Sequence, residues 1–186
     1  MELIQARHIA DRLVRVINDS APRVEVAGSV RRRKANVKDI EIVAIVRDYA
    51  RLYNDLAQHG RFIKPGVPDI IDWPPKHGAK YVRMLLNEVI KLDLFIANPD
   101  NWGSLLCMRT GSATDASGAV FRGFIPAMFK RWKKVSGGGK MSGCQPMMPD
   151  GTLLAVPEER DFFELCGIEW VEPELRVDAK AIKVSS

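Results

Sequence analysis

The stretch VEVAGSVRRRKANVKDIEIVAIV (residues 24–46) decides how the chain is read. Residues 23–27 read as a short strand that Gly28-Ser29 interrupts. The basic run Arg31-Arg32-Arg33-Lys34 then leads into a second strand over 39–46. In a strand, side chains alternate between faces, so Asp39 and Glu41 point one way while Ile40 and Ile42 point the other. Two neighbouring carboxylates heading an apolar strand repel one another and cost stability unless cations neutralise them. Farther on, KLDLFI (residues 91–96) again sets one carboxylate, Asp93, in an apolar background. If the two strands are neighbours, Asp93 completes a three-carboxylate cluster. Hard oxygen ligands of this kind suit Mg²⁺ or Mn²⁺ and not zinc. An Asp-x-Glu pair on a strand is, by itself, more often a solvated face than a metal site. The Gly-Ser turn and the basic run ahead of it shift the balance.

Outward from this stretch, the spacing predicts an amphipathic helix over the first segment, with Leu3, Ile9, Leu13 and Ile17 on one side. Turn formers at 18–22 end it. Residues 47–59 read as a helix stopped by Gly60. The Pro- and Gly-rich stretch 61–79 reads as a loop, and 80–86 with 89–97 as a hairpin turning at Asn87-Glu88. Residues 98–101 are a turn, and a helical or irregular segment begins at Trp102. The apolar stretch 121–135 has a cationic end, followed by a flexible connector over 136–139. A strand over 153–156, a helix over 158–166 and a frayed last dozen residues complete the expectation. This is an α+β chain: a mixed or antiparallel sheet with helices on one face over 1–107, then a small α/β lobe over 108–186.

The 186 residues carry 28 Lys+Arg against 23 Asp+Glu, a formal charge of +5, which favours an anionic partner such as nucleotides or nucleic acid without proving one. Three scattered cysteines (Cys107, Cys144, Cys166) and three scattered histidines argue against a zinc site or a disulfide framework and fit reduced thiols. The N-terminus is too charged for a signal peptide, and no apolar run approaches the roughly 20 residues a membrane span needs. A cytoplasmic, monomeric chain without membrane partners is expected. Gly137-Gly138-Gly139-Lys140 is not a phosphate-binding loop, because Met141 follows the lysine and Lys134 stands where the first glycine belongs.

Ala27-Gly28-Ser29, Arg31-Arg32 and, ten residues after Ser29, Asp39-Ile40-Glu41-Ile42 resemble the signature of the DNA polymerase beta superfamily of nucleotidyltransferases. Lys91-Leu92-Asp93-Leu94 is similar to the strand giving that family its third carboxylate. Met108-Arg109-Thr110-Gly111-Ser112 resembles the tyrosine-phenylalanine-threonine-glycine-serine segment of family X DNA polymerases. The segment over 158–163, with Trp170 and Glu172-Pro173, resembles the family's closing helix and tail. The resemblance spans roughly residues 24–176 in four ordered motifs.

It implies a nucleotidyltransferase palm in which Asp39 and Glu41 bridge two Mg²⁺ or Mn²⁺ ions and Asp93 binds the ion that activates the attacking hydroxyl. Asp93 is then the expected proton acceptor. Gly28, Ser29 and Arg32 would hold the triphosphate of a nucleoside triphosphate, and Gly111 and Ser112 would lie beside its sugar and base. Lys91 would sit near the reacting hydroxyl or the primer backbone. A minimal, repair-type DNA polymerase of viral or mobile-element size is the implied enzyme, with gapped or primer-template DNA as partner. The rivals are an enzyme of the same fold that modifies RNA ends, a protein or a small molecule, and a catalytically idle nucleic-acid-binding domain. Lys130, Arg131, Lys133, Lys134 and Lys140 near Trp132 are the candidate DNA grip, and equally fit a cationic helix end. The chain departs from the family pattern at Met108, Arg109 and Ala113, which puts sugar selection in question. Glu41 for the usual aspartate keeps the ligand type.

Overall fold

A computed structural model of the chain describes residues 1–64, 76, 78–87 and 89–185. Most of the loop expected over 61–79, together with His77 and Glu88, lies outside the described residues. The chain divides into two compact units, Met1–Ala97 and Asn98–Ser186. The division falls ahead of the helix at Trp102, not between Cys107 and Met108, because that helix packs with elements of the second unit.

The first unit runs α1 (Leu3–Asn18), β1 (Arg23–Val26), α2 (Gly28–Arg31), β2 (Asp39–Ile45), α3 (Tyr49–Ala57), β3 (Gly60–Phe62), β4 (Tyr81–Leu86) and β5 (Ile90–Ala97). Its five strands lie in the order β1-β2-β5-β4-β3, with β2 and β5 parallel and every other pair antiparallel. The expected mixed sheet is present. Ala6, Ala10, Leu13 and Ile17 of α1 and Leu52 and Leu56 of α3 are buried against Ile40, Ile42, Leu92, Leu94, Val82 and Met84. Each large aliphatic side chain fully buried there contributes about 1.5–3 kcal/mol before conformational entropy is set against it. Both helices therefore cover the even-numbered face of β2, β4 and β5. The odd-numbered face, with Asp39, Glu41 and Asp93, is the one they leave.

Two local expectations are corrected here. The segment after Ala27 is not only a break: Gly28–Arg31 closes one helical turn before the basic run. Gly60 does not stop α3, which ends at Ala57 after starting on an Asp48 cap whose side chain accepts from Arg51 N. Gly60 opens β3 instead, because any Cβ there would strike the backbone of Leu85 and Leu86.

The second unit holds α4 (Trp102–Thr110), α5 (Phe124–Val135), the hairpin β6 (Lys140–Ser142) and β7 (Gln145–Met147), α6 (Glu159–Leu165) and two 3-10 turns, Pro173–Leu175 and Ala179–Ala181. Its core gathers Phe124, Met128, Trp132, Phe162 and Phe163. A Cβ at Gly103 would run into the backbone of Glu158, so α4 lies close to the start of α6. The expected strand over 153–156 is not formed: Leu153 makes only an isolated bridge to Met147. The last dozen residues are not frayed as far as Ser185. Their backbone returns to the unit through Glu169 N donating to Lys183 O, Phe124 N donating to Val177 O and Ser185 N donating to Gly167 O. The 136–139 connector is a defined turn, with Ser136 Oγ donating to Trp132 O and accepting from Gly139 N. Among the described residues, no helix is long and apolar enough to cross a membrane.

Candidate active site

The register of the parallel pair β2–β5 sets Asp39 against Lys91 and Glu41 against Asp93. The three carboxylates therefore stand on one face of two adjacent strands, while their neighbours Ile40, Ile42, Leu92 and Leu94 are buried in the helix-covered core. Desolvation raises the Asp39 carboxyl above its ordinary pKa, and the negative charge of Asp93 adds to the shift. Arg83, Lys38 and Lys91 oppose it. Asp39 thus carries the electrostatic cost that a cation at this face would relieve.

Asp93 is held differently. It is 5% exposed, and both its oxygens are taken by one guanidinium: Arg83 Nε donates to Oδ1 at 2.5 Å and Nη2 donates to Oδ2 at 2.7 Å. Tyr81 Oη donates to Oδ1 at 2.6 Å, with its ring stacked on Phe95 at 5.0 Å. Tyr81, Arg83 and Asp93 meet because Tyr81↔Phe95 and Arg83↔Asp93 are cross-strand partners on β4 and β5. Burial raises the Tyr81 hydroxyl well above its ordinary pKa, and its bond to Asp93 adds to this. Arg83 is driven further toward its charged form, first by its hydrogen bonds to Asp93. Among the described residues, no three His, Cys, Asp or Glu side chains converge closely enough to hold an ion. In the carboxylate trio, Asp93 is turned to Arg83 and Tyr81.

The Gly28-Ser29 turn is built against the same face. Gly28 has φ +61°, and a Cβ there would fall within the carboxylate of Glu41. The turn is pinned to β2 by Ala27 N donating to Glu41 O at 2.8 Å. Ser29 Oγ is buried and has no hydrogen-bond partner among the described residues. A buried hydroxyl left in that state needs an explanation, and an oxygen-rich ligand supplies one. Arg32 lies where Glu41 and Asp39 both favour its charged form, although burial outweighs them and lowers its pKa. The donor set fits hard divalent cations in two respects: Asp39 and Glu41 share one face of the strand, and a glycine keeps the Glu41 carboxylate its space. Asp93 would have to leave the Arg83 fork to serve as a third ligand. Lys91 is exposed on this face, next to Asp39 in register.

In the second unit, Gly111 follows the last residue of α4, and a Cβ on it would meet the side chains of Ile125 and Phe124. Ser112 is buried. Its N–H donates to Arg176 O at 2.9 Å, its carbonyl accepts from Ile125 N, and its hydroxyl accepts from Thr114 N at 3.3 Å. Arg176 is itself fully buried, bonded to Glu159 Oε1 at 2.5 Å and to Val171 O at 2.8 Å, over the rings of Trp170 and Phe163. The Ser112 turn thus hangs on a buried ion pair. Lys130, Lys133, Lys134 and Lys140 are exposed. Arg131 departs from the expectation: its donors go to Cys166 O at 2.8 Å and Gly167 O at 3.3 Å, where it caps the end of α6.

Tyr81, Arg83 and Arg176 were not among the residues picked out of the sequence, and Glu159 entered only as part of the segment 158–163. The alternation Tyr81-Val82-Arg83-Met84 marks two polar positions on one strand face, but only the register of β4 on β5 shows what they meet. A cavity of about 200 Å³ beside α1, lined by Leu13, His59, Leu86 and Ile90 among others, contains none of the three carboxylates. Neither protein-family models nor curated proteins give a match to this chain.

Proposed function

We propose that this chain is a nucleotidyltransferase that joins the nucleotide of a nucleoside triphosphate to a hydroxyl, with the first unit as its catalytic palm. The observation that carries this reading is the register placing Asp39, Glu41 and Asp93 on one face beside the Gly28 turn. Asp39, Glu41 and Asp93 would hold the divalent cations, and Asp93 takes the proton of the attacking hydroxyl. Ser29 Oγ donates to a phosphate oxygen, which satisfies its buried hydroxyl. Arg32 offsets charge on the departing phosphates with its fixed fork of donors. When bound, two Mg²⁺ or Mn²⁺ ions would lower the barrier by stabilising charge on the entering and leaving oxygens. DNA is the favoured acceptor, since Lys130, Lys133 and Lys134 of α5 and Lys140 of β6 expose four cations for a phosphate backbone.

One observation favours a second reading. The Arg83 fork on Asp93 is what a catalytically idle, nucleic-acid-binding domain would use in place of a cation. Thermal denaturation separates the two. An enzyme is stabilised by Mg²⁺ together with a nucleoside triphosphate, and Asp39→Ala removes the effect. An idle domain shows no Mg²⁺-dependent shift.

A further inference from the structure

Asp93 offers about four lone-pair positions as a carboxylate. Three are filled: Oδ1 receives both Arg83 Nε and Tyr81 Oη, and Oδ2 receives Arg83 Nη2. The fork is a charge-assisted pair with the geometry that makes arginine–carboxylate contacts strong. It forms between direct cross-strand neighbours, so no backbone rearrangement is needed to make or break it. Asp39 stands on the same face without such a fork, and the charge of Asp93 reaches it. The arginine side chain retains 27% exposure, which leaves its guanidinium a way out toward solvent, whereas Asp93 has almost none.

We infer that Arg83 is a built-in counter-ion for Asp93, holding this carboxylate in place while the site is vacant and competing with the divalent cation for its oxygens. Arg83 is therefore a positioning residue that sets how tightly the site binds cations. It lowers affinity by occupying a ligand and by placing a positive charge beside the cation. It favours catalysis by keeping a buried carboxylate oriented until the nucleotide brings its own negative charge. Tyr81 is the fixed part of the arrangement: its hydroxyl leaves one oxygen of Asp93 unblocked, and its ring is anchored on Phe95.

This inference rests on the nucleotidyltransferase reading, and the test separates the two. Mn²⁺ binding to the full chain without nucleotide is measured by electron paramagnetic resonance for the wild type, Arg83→Met, Arg83→Lys, Tyr81→Phe and Asp39→Asn. Arg83→Met is expected to bind Mn²⁺ at least about tenfold tighter, the equivalent of one pKa unit of charge interaction. Arg83→Lys, which restores the charge, should return most of the way to the wild-type value, and Tyr81→Phe should move it little. Unchanged or weaker binding by folded Arg83→Met overturns the inference. If wild-type binding is nonetheless lost in Asp39→Asn, the cation site itself stands. Absence of Mn²⁺ binding in both the wild type and Arg83→Met overturns the inference and the cation site together. Should Arg83→Met not fold, the wild type decides: the Arg83 Nε–H nuclear magnetic resonance signal must shift and begin exchanging with water as Mg²⁺ is added. A signal that stays in place refutes the competition.

Discussion

Replacing Asp93 by asparagine should weaken the metal-free fold, whereas the same change at Asp39 should strengthen it, although both carboxylates stand on one sheet face. Asp93→Asn removes the charge beneath a guanidinium that donates to both its oxygens at 2.5 and 2.7 Å. Breaking a fully buried pair costs about 3–5 kcal/mol. Arg83 keeps 27% exposure and can be partly rehydrated, so a loss of about 2 kcal/mol is expected here. For a chain of this length that is about 4–8 °C in the denaturation midpoint. Asp39 is held above its ordinary pKa by desolvation and by Asp93, so its charged form opposes folding. Asp39→Asn should gain up to about 1 kcal/mol, the scale of a partly screened charge interaction. A carboxyl whose folded pKa is raised stabilises the fold at pH below its unfolded pKa and loses that contribution as pH rises through the folded pKa. The gain from Asp39→Asn is therefore full at neutral pH and fades on acidification toward about pH 4. Thermal denaturation in chelator at pH 7.5 and pH 4 reads both signs. A neutral or stabilising Asp93→Asn would refute the Arg83 fork, and a destabilising Asp39→Asn at pH 7.5 would refute the net cost of the Asp39 charge.

Gly28→Ala should cost about 1–2 kcal/mol from the left-handed backbone alone and displace the Glu41 carboxylate. Transfer should fall about 100-fold, as expected for a misplaced ligand, while circular dichroism shows the fold intact. Lys133→Gln and Lys134→Gln should each lower the slope of log binding constant against log salt by about one on DNA, with no change in the denaturation midpoint. Arg131→Gln should instead destabilise, because it uncaps the Cys166 and Gly167 carbonyls. Burial pushes the Cys166 thiol up to about 12, so at pH 8 a thiol reagent should modify Cys144 first. Cys107 and Cys166 should follow only after unfolding; rapid modification of Cys166 in the native chain would contradict its packing.

The strands bearing Asp39, Glu41 and Asp93 were legible because carboxylates set in otherwise apolar runs stand out locally. Their parity on a face followed from the strand period, and their alignment across β2 and β5 is the long-range step that only the fold supplies. The partner of Asp93 was hidden for the same reason: Arg83 is ten positions away in sequence but directly opposite in register. Gly60 misled because a glycine after an amphipathic run reads as a helix stop, while its actual constraint is a neighbouring backbone. The tail looked frayed since its hydrogen bonds run to distant backbone groups and a buried anchor in it, Arg176, is a charged residue. Residues of that type are rarely buried unless paired, and Glu159, its partner, looked like an ordinary first-turn acid of α6.

The central claim is nucleotidyl transfer by the carboxylate face, and incorporation of a labelled nucleotide tests it most directly. Gapped duplex, single strand and a reaction without nucleic acid are compared in Mg²⁺ and in Mn²⁺, with Asp39→Ala and Asp93→Ala alongside. Template-directed extension of the gapped duplex, abolished in both variants, is the predicted result. Untemplated addition would keep the chemistry and move the acceptor. Transfer that persists in either variant, or no transfer to any of these acceptors in either metal, would contradict the account.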